Sequence, residues 1–161
     1  MNTVKRESRV LDRMLTKLRA HLRANHLPRP IGITMSTLSR TVQLSFGTGE
    51  ERARLHRAVA WGRSLHGVHV TWLVLPNRHL VVTIAGQLAD GTGVIVSAGA
   101  DIACLGGVLV ATENTAYVLG YRLPVGTVRP TTLVDVDALT GDLAAVSRFR
   151  GAAGMVAGVA A

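Results

Sequence analysis

One cysteine, ten acids and two each of Trp, Tyr and Phe among 161 residues set the first limits on this chain. Cys104 is alone, so no intramolecular disulfide is possible and nothing points to an oxidising compartment. Between Ala103 and Leu105, with no basic neighbour to lower its pKa, it reads as a buried, inert thiol. No run approaches the ~20 apolar residues that a membrane span needs. The N-terminal charges have no apolar core behind them, so no secretory leader is expected and the expected location is cytoplasmic. So few aromatics leave little on which unpaired bases can stack.

Catalytic and cofactor motifs are also missing. Gly47-Thr48-Gly49 stands between a strand and a helix, where a dinucleotide loop would sit, but the third glycine of that pattern is replaced by Arg52. Thr48-Gly49-Glu50-Glu51 reads more simply as a capping box. Asp135-Val136-Asp137 reads as a strand end followed by a helix cap rather than a cation site. Neither His66 and His69 nor His21 and His26 have zinc-ligand spacing, and His69 and His79 fall on neighbouring strands too far apart to share a metal. Ser64 lies late in a helix, not on a nucleophile elbow. A non-enzymatic protein without metal or cofactor is therefore expected.

What the chain does have is positive charge, unevenly placed. Its net charge is +8, and six of those eight charges fall within residues 1–30, where Lys5, Arg6, Arg9, Arg13, Lys17, Arg19, Arg23 and Arg29 face only Glu7 and Asp12. A localised positive field favours phosphate or an acidic protein face. Residues 3–26 read as a helix: Val4, Leu11, Leu15, Leu18 and Leu22 fall on one stripe, with most of the cations opposite. Pro28 and Pro30 end it. Leu15 and Leu18 should be buried, within the chain or against a second copy. A secondary basic face is expected from Arg52, Arg57 and Arg63 on a second helix starting at Thr48.

The rest alternates as strands do. Ile31–Ser36 and Arg40–Phe46 form a hairpin. Val68–Leu75, Arg78–Leu88 and Gly93–Ala98 form a meander, with Asp90-Gly91 as a hairpin turn. Residues 107–121 suggest another hairpin turning near Glu113-Asn114, Thr131–Val136 a further strand and Asp137–Phe149 a short helix. The expected fold is α+β, a mostly antiparallel sheet of about five to seven strands with helices on one face. It divides into the basic helix (1–27), a hairpin, helix and meander module (28–100), C-terminal strands and short helix in the same domain (101–150), and a Gly/Ala tail (151–161). The Ala160-Ala161 ending looks like the nonpolar terminus that quality-control proteases recognise.

Trp61, Val68-His69-Val70-Thr71, His79-Leu80-Val81-Val82 and Leu88-Ala89-Asp90-Gly91-Thr92 together resemble small, uncharacterised accessory proteins of actinobacterial phages and mobile elements. The resemblance spans about a fifth of the chain. It implies a helix followed by a meander, and no activity. Two function classes follow from the charge: nucleic-acid binding through the first helix, or docking of that helix on an acidic partner or a second copy as a homo-oligomer.

Overall fold

The computed structural model describes residues 2–141, so the Gly/Ala tail and most of the segment expected as the last helix lie outside the described residues. Helix α1 (Asn2–Ala24) leads into a hairpin of β1 (Gly32–Ser36) and β2 (Thr41–Phe46), then helix α2 (Glu51–Ser64). The meander follows as β3 (His66–Val74), β4 (His79–Gln87) and β5 (Gly93–Asp101). Three short strands, β6 (Val108–Val110), β7 (Thr115–Val118) and β8 (Tyr121–Pro124), precede β9 (Arg129–Thr131) and helix α3 (Leu133–Thr140). The fold is α+β. The main sheet has six strands in the order β1-β2-β5-β4-β3-β9, and β6-β7-β8 make a second sheet.

Alternation fixes which face of the main sheet is buried. Val42, Leu44 and Phe46 on β2 stand level with Val94, Val96 and Ala98 on β5, and those three with Gly86, Ile84 and Val82 on β4, while Leu80 stands level with Ala100. Gln43 and Ser45 point the other way and are exposed. One pairing departs from expectation: β2 and β5 run parallel. The chain leaves β2 through α2, and the last strand of the meander returns beside β2 rather than at the far edge.

Helix α2 lies on the buried face through Leu55, Ala58, Val59, Trp61 and Gly62. At Gly62 a β-carbon would stand 2.6 Å from the Leu133 side chain and 3.1 Å from Ile84, so a larger residue would have to push those side-chain ends aside where α2 meets α3 and the sheet. The expected capping box at Thr48 and Glu51 does not form. Glu50 occupies the cap without a side-chain bond. The Glu51 carboxylate accepts instead from the backbone N–H of Asp101 and pairs with Arg54.

The capping box belongs to α3, where Thr132 accepts from the Asp135 backbone and the Asp135 side chain accepts from Thr132. The Asp135-Val136-Asp137 segment is thus helical, the strand before it is shorter and earlier than expected, and Gly141 ends the helix. Asp135 also accepts from the Tyr121 hydroxyl at 2.6 Å, which ties the small sheet to α3 and pushes the phenol pKa up to about 12. Tyr121 in turn stands edge-on to Trp72 of β3, ring centroids 5.0 Å apart.

Helix α1 ends in a Schellman motif. The Leu27 N–H bonds back to the Leu22 carbonyl and the His26 N–H to Arg23, with His26 in the left-handed region at φ 49°. Its second half is docked, with Met14 and Leu18 buried in the core and Leu15 and Leu22 half-buried. Its first half extends past the body. Leu11 is 40% exposed and Val4 73%, although both lie on the same stripe as Leu18, which is 2% exposed. Of the two residues expected to be buried, Leu18 is buried within the chain and Leu15 is only half-buried. Leu18→Ala should lower the unfolding free energy by about 2–5 kcal/mol and Leu11→Ala by less than about 1, a contrast that urea denaturation of the two variants measures.

Candidate polyanion-binding groove

Three contacts fix where α1 lies. The indole N–H of Trp61, on α2, donates to the Pro28 carbonyl at 2.8 Å. The His21 ring stands 6.0 Å from the Trp61 ring, and His21 Nε2 is 2.9 Å from the Ser64 hydroxyl. The Asp90 carboxyl, in the turn between β4 and β5, is held low first by the Thr92 backbone N–H and also by the charge of Lys17 on α1. That turn, the β1–β2 turn and the junction of α2 with β3 share one end of the sheet, since Thr41 is level with Gly93 and His66 with Gln87. Helix α1 therefore crosses this end, and its first half comes to lie beside the β1–β2 turn.

A groove of about 940 Å³ opens between them, lined by Lys5, Arg6, Arg9 and Arg13 on the helix and by Thr37, Leu38 and Arg40 on the turn, with Glu7 and Val10 completing it. Five cations thus face a single acid. All seven cations expected on the first helix (Lys5, Arg6, Arg9, Arg13, Lys17, Arg19 and Arg23) are exposed. The first four line the groove, whereas Lys17, Arg19 and Arg23 do not. Arg40, which no sequence pattern marked, joins them across the gap. Its backbone is left-handed at φ 51°, and its carbonyl accepts from the Gly93 N–H at 3.0 Å, so the turn is anchored to β5.

The secondary basic face resolves differently. Arg52 donates to the carbonyls of Cys104 and Gly141, both at 3.2 Å, and Arg57 to that of Thr48 at 3.3 Å. Arg63 pairs with Asp137 at 2.6 Å. These three side chains tie loops and α3 to α2 rather than presenting a common outward charge.

Two reactive groups stand where the fold brings partners to them. Cys104 is exposed, not buried, because it lies on the 3₁₀ turn after β5. Desolvation, then the neighbouring Glu51 carboxylate, hold its thiol above the ordinary value. His21 and Ser64 approach as a nucleophile and its base would. The Ser64 hydroxyl donates to the Trp61 carbonyl at 2.7 Å, however, and so accepts from His21 Nε2–H. The Asn25 amide nitrogen stands 3.4 Å from His21 Nδ1 and donates to the His21 carbonyl. The imidazole is thus neutral and already donating, the opposite of a general base's role. Among the described residues no three His, Cys, Asp or Glu side chains come together as metal ligands, and no helix is long and apolar enough to cross a membrane.

No family model, curated protein or solved structure matches the chain.

Burial, then the nearby His66, lower the His21 pKa below its ordinary 6.5. The unfolded chain then binds more protons than the folded one as pH falls through 6.5, so stability present above that pH is lost on acidification. Asp90 and Asp135, with pKa values depressed below 3.8, lose their contributions only at lower pH. The melting temperature should drop between about pH 7.5 and about pH 5, and His21→Asn should remove part of that drop; equal slopes in the two proteins would show that His21 is not the group responsible.

Proposed function

We propose that this is a non-enzymatic binding protein that holds nucleic acid by its phosphate backbone in the groove between α1 and the β1–β2 turn. The observation that carries the reading is the convergence of Lys5, Arg6, Arg9, Arg13 and Arg40 on one concave surface with a single acid, Glu7. Lys and Arg so placed neutralise phosphates and position a strand without reading its sequence. None of the groove's residues is aromatic, so bases have no stacking platform there, which favours duplex over unpaired strands. The resemblance to phage and mobile-element accessory proteins is compatible with such a partner.

A protein-assembly reading draws on a separate observation. Val4 and Leu11 are exposed on the face of α1 opposite the cations, where a second copy or an acidic partner could cover them. Light scattering tests it: a dimer that Leu11→Asp converts to a folded monomer supports assembly, and a monomer in both forms counts against self-association.

Duplex binding titrated at several salt concentrations tests the first reading. Affinity should fall with a log–log slope of about −0.9 per phosphate neutralised. Replacing Arg9, Arg13 and Arg40 together by Ala should flatten that slope by up to ~3 units. Replacing Arg52 and Arg57 should leave it unchanged. A protein with no detectable binding at low salt would remove the nucleic-acid reading.

A further inference from the structure

We propose that Leu38 is a wedge that inserts between base pairs and bends the duplex held in the groove. The proposal rests on the nucleic-acid reading above and adds to it what the turn does. Among the described residues Leu38 is the most exposed large apolar side chain, at 97%, in the β1–β2 turn. Turns of this kind are normally built from Gly, Asn, Asp, Ser or Pro, so neither backbone geometry nor core packing accounts for a leucine here. Hydrogen bonds also tie the turn together and to β5. The Ser39 N–H donates to the Ser36 hydroxyl at 3.3 Å, the Thr41 hydroxyl donates to the Ser39 carbonyl at 3.2 Å, and the Arg40 carbonyl is bonded to β5. An apolar tip is thus presented with Arg40 beside it and Arg6, Arg9 and Arg13 across the groove.

That combination suits a bent duplex better than a bilayer. The cations line a concave surface that accepts a rod of phosphates, whereas a flat anionic surface would meet them only at the rim. An aliphatic side chain entering a base step unstacks it, and flanking cations stabilise the bend by meeting more phosphates, a trade that kinks duplexes by roughly 20–90°. Flexible pyrimidine–purine steps yield most readily, so TA-containing duplexes should be preferred without any base-specific hydrogen bond.

The test uses the full chain and a short DNA duplex carrying a fluorophore at each end and 2-aminopurine at a central TA step. Wild-type protein should shorten the end-to-end distance and raise the 2-aminopurine signal severalfold. Leu38→Ser, which is exposed and should melt as wild type does, should still bind the duplex at low salt, with a shallower salt slope because an unbent duplex meets fewer phosphates, and leave it straight. Leu38→Met should restore the bend. Wild-type binding without bending, or bending by Leu38→Ser equal to wild type, overturns the wedge and leaves phosphate binding standing. Absence of wild-type binding at low salt overturns both. Leu38-dependent binding to phosphatidylserine vesicles, with the duplex left straight, overturns the wedge in favour of a lipid surface.

Discussion

The indole N–H of Trp61 donates to the Pro28 carbonyl just beyond the end of α1, and most of the candidate site depends on that bond. Trp61 is wholly buried in α2, itself held against the sheet by the close approach at Gly62. The chain leaving α1 is therefore tied to a buried side chain of α2. With the Schellman turn at His26 and the burial of Met14 and Leu18, this sets the direction of the helix, and direction alone carries its first half to the β1–β2 turn. An amide-like donor buried without its acceptor costs on the order of 1–3 kcal/mol, so Trp61 and Pro28 hold each other in place.

The arginines divide between two tasks. Arg52 and Arg57 satisfy backbone carbonyls at the start of α2 and in nearby loops, work for which guanidinium geometry is well suited. Arg6, Arg9, Arg13 and Arg40 crowd one groove, where mutual repulsion raises the energy of the free protein and an anionic ligand relieves it. The fold can carry that repulsion because α1 is anchored by its other half, away from the charges.

Much of the fold was legible because alternation and periodicity report burial. The hairpin, the second helix, the three-strand meander and the turn at Asn114 all follow from local pattern. Local pattern does not report neighbours, and the departures lie there. Nothing in Thr41–Phe46 shows that β5 will run parallel to it. Glu51 has the right spacing for a local cap, but the Asp101 N–H, fifty residues away, takes its carboxylate. Val134 and Val136 suggest a strand until the Thr132–Asp135 capping box starts a helix. The leucine stripe of α1 gives the inward face correctly but not where the body beneath it ends, which is why Leu11 is half out of the core while Leu18 is inside it. The site was half legible. Four of its cations stood out in a run of charge, whereas Arg40 is a lone arginine in a turn that becomes part of the site only through tertiary placement.

The groove exists before any ligand arrives if α1 and the β1–β2 turn keep a fixed spacing in the free protein. Spin labels at Ser8→Cys and Ser39→Cys, in a Cys104→Ser background, measure that spacing directly by pulsed electron resonance. One short, narrow distance distribution, unchanged between low and high salt, is the predicted result. A broad distribution, with the first half of α1 sampling positions away from the turn, would contradict it.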